Sequence, residues 1–465
     1  MLDALAASDA VTPLLQAPEP LLESFRAAGA LLGEVWLALD GLLPFPARLL
    51  MIPPITGIIG YMTNWVAIRL LFHPVEFRGV EVPGLAKLAT HMPRKIQQIP
   101  GVMEGKLGWQ GIVPSRGAKM GSIAYDNSIE KIASQREFYE QLDPAAVSSF
   151  IVTRGKRDIF ALVDRIIGRE HPEMWGDAPD RVRDLVFDHV ERRLPDVTQH
   201  LFDRTGDHID DLSDVKMMII RHLEENPRLL NRMFLEVGDR ELTFLVNSGL
   251  IFGTLLGAFS IPLFLYVDAW WVLPVAGAGV GYMTNWIAIK AIFRPVHPHR
   301  IGPFNVQGLF IKRQDESVDT YASIVANEIL TVENLGDHML TGPKSDRTRK
   351  MIRDSLRPEI DRAVGVAEPL VRAVTGDRRY ESIRESLARE PIDQAMTLLG
   401  DPELNRERAE RMEEMIAREM KSLPPEEYVQ MLRPAFEEDE WLLIGVGAVL
   451  GFVAGWIQLL VVTAV

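Results

Sequence analysis

The chain alternates between long apolar stretches without a charge and long regions dense in charge. Four stretches carry no Asp, Glu, Lys or Arg: 49–68, 242–267, 269–289 and 441–465. A helix needs about 20 largely apolar residues to cross the hydrocarbon core of a bilayer, and each stretch reaches that length. The pattern predicts an all-α integral membrane protein with about four membrane helices. Pro53-Pro54 falls near the start of the first stretch, so that segment either spans the membrane or re-enters it. Upstream, 21–43 is apolar but interrupted by Glu23, Arg26, Glu34 and Asp40, which suits an interfacial helix better than a span. The amino terminus has no basic n-region and no small-residue cleavage site, so it does not read as a cleaved signal peptide.

The charged regions read as helical. Apolar residues recur at three- and four-residue spacing, as in Ile159-Leu162-Val163-Ile166 and Leu185-Val186-Val190. Pro144, Pro172, Pro179, Pro195, Pro227, Pro358, Pro369, Pro391 and Pro402 are read as helix starts and turns. No alternating β pattern stands out. The expected organisation is an amino-terminal segment with an interfacial helix (1–43), a membrane segment (44–72), a helical domain (73–241), a membrane hairpin (242–293), a second helical domain (294–440) and a last membrane helix (441–465).

Orientation follows from Lys and Arg near the span ends. Residues 294–313 hold Arg294, Arg300, Lys312 and Arg313 and no acid, and 73–122 hold seven basic residues against three acids. Residues 1–40 hold one Arg and six acids. Both helical domains are therefore expected in the cytoplasm, with the amino terminus and the turn at Asp268-Trp270-Trp271 outside.

An internal duplication stands out along the chain. Gly60-Tyr61-Met62-Thr63-Asn64-Trp65-Val66-Ala67-Ile68 recurs as Gly281-Tyr282-Met283-Thr284-Asn285-Trp286-Ile287-Ala288-Ile289, and eleven of sixteen positions match between 60–75 and 281–296. A fainter echo follows, Gln110-Gly111-Ile112 with Arg116 against Gln307-Gly308-Leu309 with Arg313, after 24 extra residues in the first copy. Gly451-Phe452-Val453-Ala454-Gly455-Trp456-Ile457 reads as a degenerate third copy without the Thr-Asn pair.

These residues resemble the domain-of-unknown-function family 445 of bacterial membrane proteins. That family shows a Gly-rich helix ending in Thr-Asn-Trp-x-Ala-Ile, then Phe-x-Pro, a charged helical region and a Gly-rich carboxy-terminal span. The resemblance covers most of 50–465, and two copies are more than the simplest family pattern requires. It implies a bacterial membrane protein with this topology, and brings no activity or catalytic residues.

Asn64 and Asn285, each preceded by a threonine (Thr63, Thr284), lie inside membrane segments, where an amide needs a partner. They are read as interhelical glue; the alternative is that they meet across a pseudo-twofold axis and line a polar site of a carrier or channel for a lipid or small solute. Gly253/Gly257, Gly277/Gly281 and Gly447/Gly451/Gly455 fit the small-xxx-small pattern, with Thr56/Gly60 a looser version. They suggest a compact bundle, within the chain or between copies in a homo-oligomer. Arg69 and Lys290, five residues past each Asn, are expected to snorkel to the interface. With Arg294, Arg300, Lys312 and Arg313, and with His73, His297 and His299, they could meet anionic lipid headgroups.

Composition closes other doors. The 465 residues include 50 Lys/Arg and 64 Asp/Glu, a net charge of −14, with a mean hydropathy of +0.04. That balance argues against a nucleic-acid partner, which needs a basic footprint. There is no cysteine. Gly101-Val102-Met103-Glu104-Gly105-Lys106 is one residue short of a phosphate-binding loop, and no metal, nucleophile-elbow or dinucleotide motif occurs. The expectation is a non-enzymatic protein of the bacterial cytoplasmic membrane with no cofactor, acting as a membrane-anchored helical scaffold or interaction protein of the cell envelope whose partners are membrane lipids.

Overall fold

A computed structural model describes residues 52–81, 102–103, 106–170, 172–267, 269–301, 304–364, 377–437 and 440–463. The interfacial helix expected at 21–43, Asp268 and Pro369 lie outside them. Among these residues the fold is α-helical with little sheet, and, shorter helices such as Pro172–Gly176 aside, eight helices follow one another in the same order twice.

The first pass consists of α1 (Ile52–Phe72), α2 (Gly117–Ala124), α3 (Gln135–Gln141), α4 (Pro144–Glu170), α5 (Asp180–Asp207), α6 (Val215–Glu225), α7 (Pro227–Val237) and α8 (Asp239–Tyr266). The second consists of α9 (Val272–Phe293), α10 (Gln314–Ile324), α11 (Val332–Thr341), α12 (Ser345–Val364), α13 (Asp377–Leu399), α14 (Pro402–Ser422), α15 (Pro425–Glu437) and α16 (Glu440–Thr463). Details recur with the order. A π-helical turn follows α2 (Tyr125–Ile129) and α10 (Val325–Ile329). Ser134 and Thr331 cap α3 and α11, each accepting from the backbone N–H three residues on. The order of elements is therefore parallel in the two halves from α1 to α16.

Short antiparallel strands, absent from the sequence expectation, follow α1 and α9. β1 (Arg78–Glu81) and β2 (Val102–Met103) pair with β3 (Lys106–Trp109), and β4 (His299–Ile301) pairs with β5 (Phe304–Val306). Arg78 opposes Trp109 as His299 opposes Val306, so the 24 extra residues sit between β1 and β3. At two to four residues, these strands are too short for an alternating pattern to register.

The prolines need one correction. Pro144, Pro172, Pro227 and Pro402 open helices and Pro179 precedes one, but Pro195, Pro358 and Pro391 lie inside α5, α12 and α13. A mid-helix proline loses one hydrogen bond, and packing against neighbouring helices overrides that local cost. Pro195 and Pro391 occupy matching places in the two passes.

Contacts divide the chain into two units, Met1–Ala124, Leu223–Ser317 and Pro424–Val465 forming one, and Tyr125–His222 with Val318–Leu423 the other. Each polar region, 73–241 and 294–440, contributes to both. In the first unit α1 packs along α8, α9 along α16, α8 beside α9, and α16 against α1. In the second, α4, α5, α12 and α13 pack together, with Leu162, Ile166, Ala388 and Ile392 buried.

Among the described residues three helices are long and apolar enough to cross a membrane: Pro53–Phe72, Asp239–Pro262 and Val272–Phe293. Leu443–Trp456 within α16 is a shorter apolar stretch. The first is a continuous helix, with Pro53 and Pro54 in its opening turn, where the missing N–H costs nothing.

Candidate functional site: the paired Thr-Asn helices

In α1, Asn64 is fully buried and its Nδ2 donates to the Leu245 carbonyl of α8 at 2.8 Å. In α9, Asn285 is likewise buried and donates to the Leu443 carbonyl of α16 at 3.0 Å. Each amide thus joins the Thr-Asn helix to the glycine-bearing helix that ends its own pass. Thr63 and Thr284 are buried beside them, and Thr284 donates back to the Gly281 carbonyl at 3.2 Å. Both asparagines leave Oδ1 buried without a hydrogen-bond partner.

These bonds require very close backbones. A Cβ on Gly60 would strike the Gly249 carbonyl, and one on Gly281 would strike that of Gly447. Gly253 and Gly257 face Thr56 in the first pair, while Gly277 meets Gly451 and Gly455 abuts Leu273 in the second. The glycine stripes therefore meet within the chain. Gly249, which completes a three-glycine ladder on α8, was missed in the sequence although its four-residue spacing from Gly253 was there to see.

One reading needs correcting. The segment at 451–457 is not a third copy of the Thr-Asn helix, because α16 stands to α9 as α8 stands to α1. Gly447, Gly451 and Gly455 match Gly249, Gly253 and Gly257, not Gly60. Glycine periodicity alone does not distinguish the two partners of a close-packed pair.

The echo Gln-Gly also has a structural meaning. After α1 the chain turns at the cis bond His73–Pro74, and after α9 at Arg294–Pro295. Gln110 Nε2 donates to the Val75 carbonyl at 2.8 Å and the Gly111 N–H to that of Pro74 at 2.8 Å. Gln307 and Gly308 repeat this on Val296 and Pro295 at 3.1 and 2.9 Å. Gly111 and Gly308 lie against the backbone at the ends of α1 and α9, where a Cβ would come within 2.9 Å of it. The echo is a latch that holds the exit of each Thr-Asn helix.

The basic residues divide. Arg69 lies over the Trp65 ring with its Cζ 5.5 Å from the centroid, and the Lys290 Nζ is 3.9 Å from that of Trp286, so both remain exposed while resting on an aromatic face. Arg294, Arg300 and Lys312 are exposed. Arg313 is not available to a headgroup in the same way: it grips the buried Glu241 carboxylate through Nη1 at 3.1 and 2.9 Å and Glu316 through Nε at 3.0 Å. The Glu316 hydrogen bond, followed by the Glu241 charge, pushes Arg313 above its ordinary value against the effect of burial. His297 reaches Glu426 at 2.8 Å.

The outward faces are the reverse of a water-soluble bundle. Leu250, Ile251, Leu255 and Phe259 on α8, Val275 on α9, and Val449 and Val453 on α16 are exposed, while Gly, Thr and Asn fill the interior. Trp270 and Trp271 are exposed before α9, with Trp270 5.5 Å from the Trp456 ring.

Comparison with known proteins agrees with this location. Residues 275–405 match the family model described as Protein of unknown function (DUF445). The match begins in α9 and ends in α14, so it takes in much of the second pass. A UPF0754 membrane protein of Shouchella clausii is 43% identical over 68 residues, 14% of this chain and 18% of the relative. One of Synechococcus sp. (strain JA-3-3Ab) is 30% identical over 184 residues (36% and 44%), and one of Bacillus cereus (strain AH820) 32% over 124 (26% and 31%). The chain spans less than half the length of each of these curated relatives. No solved structure matches it. The relatives are named membrane proteins of an uncharacterised family, and the chain carries helices apolar enough to span a membrane.

Proposed function

We propose that this is a multi-pass protein of the bacterial cytoplasmic membrane, a non-enzymatic scaffold in which α1, α8, α9 and α16 span the bilayer and anchor the helical unit on the cytoplasmic side. The carrying observation is that both Asn amides are spent on carbonyls of their own partner helices, at 2.8 and 3.0 Å. They act as glue in two sealed pairs. The positive balance at 73–122 and 294–313 supports the inward placement of the polar regions. The fourth span rests on the equivalence of α16 to α8. Exposed Arg69, Lys290, Arg294, Arg300 and Lys312 suit anionic headgroups.

A carrier or channel for a lipid or small solute is the second reading. It is favoured by one observation, the two buried Oδ1 atoms without partners, which leave an acceptor in each pair. Asn64→Leu with Asn285→Leu separates the two. A scaffold loses thermal stability and assembly, and shows no solute or lipid flux in proteoliposomes before or after substitution. A folded double variant that loses a flux present in the wild type contradicts the scaffold.

A further inference from the structure

The second unit holds a cavity of about 510 Å³ that is open to the surface on one side. Its walls come from α3, α4 and α5 of the first pass and from α11, α12 and α13 of the second. The cavity is therefore built between two corresponding triplets of helices, within the unit that does not contain the Thr-Asn pairs.

The wall is aliphatic. Ile151, Leu162, Leu201, Met339, Ile352 and Leu398 are representative, and the aromatic rings at it are Tyr139 and Phe202. Three hydroxyls at the wall are already occupied: Tyr139 Oη donates to the Phe202 carbonyl at 2.8 Å, Thr198 Oγ1 to that of Leu194 at 2.9 Å and Thr205 Oγ1 to that of Leu201 at 2.8 Å. None of the buried polar atoms lacking a partner belongs to the wall. A well-ordered water needs two to four polar partners, and the aliphatic inner wall offers few. The volume lies within the range of small-molecule sites, about 300–1,000 Å³.

The rim has a different character. Asp158, Ala161 and Arg165 mark one side of α4 at the cavity and are exposed. Arg154 and Arg169 on the same helix hold Glu403 and Glu390, whereas Arg165 forms no ion pair among the described residues. An aliphatic interior with few rings suits methylene chains better than a flat aromatic ligand, which gains from stacking partners. Each methylene moved from water adds to binding in proportion to its area.

The geometry points to this cavity as the binding site for one fatty acyl chain of an anionic amphiphile, with the chain inside and its carboxylate or phosphate at Arg165. The inference goes beyond the scaffold reading and does not depend on the Asn pairs. The amphiphile is either a free fatty acid or a phospholipid drawn from the bilayer, and both present the same chemistry to the site.

The test is native mass spectrometry of the full chain released from phosphatidylglycerol–phosphatidylethanolamine nanodiscs after incubation with deuterated palmitate or with hexadecanol. Wild type is expected to retain one acyl adduct per chain, as palmitate if the source is free acid and as phospholipid if it is the bilayer. Ala395→Trp and Val197→Trp, which fill the cavity, should each cut retention at least tenfold with the helical circular dichroism unchanged. Arg165→Glu, at the exposed rim, should cut palmitate retention at least threefold and leave hexadecanol unaffected; it decides the matter alone if the filled variants do not fold. No acyl adduct in the wild type, or an adduct insensitive to Arg165→Glu and to folded filled variants, overturns the inference.

Discussion

Asn64 and the Leu245 carbonyl are 181 residues apart in the chain and 2.8 Å apart in space, and Asn285 bonds the Leu443 carbonyl likewise, 158 residues on, at 3.0 Å. A side-chain amide and a ladder of glycines are the means by which each Thr-Asn helix recognises its partner. In lipid there is no hydrophobic drive between helices, so close packing and such bonds carry the association.

Asn64→Leu and Asn285→Leu should therefore cost similar amounts, about 1 kcal/mol each, the usual worth of a hydrogen bond between membrane helices. Reversible unfolding in mild detergent micelles measures this. A large cost at one site and none at the other would break the equivalence of the two pairs.

Glycine substitutions should separate by position. Gly60→Ala and Gly281→Ala place a methyl against the carbonyls of Gly249 and Gly447, and overpacking of this kind costs about 1–3 kcal/mol. Gly279 and Gly445 have nothing within 4 Å of a Cβ. Alanine there should be neutral or favourable by up to about 1 kcal/mol through helix propensity. Thermal unfolding of the four single variants is the comparison.

The apolar helices and the Thr-Asn pairs were visible in the sequence, for a physical reason. Thr63-Asn64 and Thr284-Asn285 sit where a buried amide, a close backbone and a fixed exit turn all constrain the residue, so the two passes stay alike there. Elsewhere the constraint is only apolar against apolar, which many residues satisfy. The kinship of α5 with α13 survives as little more than Pro195 and Pro391 at matching places. Leu185, whose spacing was read as helical, does lie in α5 but is 64% exposed, so helical spacing alone did not separate a buried face from an open one. Of the site residues, Asn64 and Asn285 were found by their cost in hydrocarbon. Glu241 was not, since a carboxylate at the head of a span looks like any helix-start acid until Arg313, 72 residues on, is seen to hold it.

Glu241 and Arg313 should behave as a unit. Glu241 is 2% exposed and accepts both bonds from one guanidinium nitrogen. Arg313→Ala would strand a buried carboxylate and should destabilise by about 3 kcal/mol. Glu241→Leu combined with Arg313→Leu should cost less than Arg313→Ala alone, because no charge is left unpaired. Denaturant titration of the three variants gives the values.

His338 in α11 should make the helical unit sensitive to mild acid. Burial, opposed by the nearby Asp214 and reinforced by Arg221, holds its imidazole below the ordinary value of 6.5, with Asp337 and Lys344 opposing and reinforcing more weakly. The folded state then binds fewer protons than the unfolded one, so stability falls as pH drops through about 6.5 toward the depressed folded value. The melting temperature should decrease from about pH 7.5 to about pH 5.5. His338→Gln should flatten that slope, and an unchanged slope would assign it to other groups.

The central claim is that lipid surrounds α1, α8, α9 and α16, with the polar regions on the inner side. The chain contains no cysteine, so single cysteines report position without a background. The direct measurement is labelling of Ala269→Cys, Ser149→Cys and Ser345→Cys by a membrane-impermeant maleimide, in intact spheroplasts and again after lysis. The account predicts that position 269 is labelled in intact spheroplasts and that 149 and 345 react only after lysis. Labelling of 149 or 345 from outside, or recovery of the chain in the soluble fraction without detergent, would contradict it.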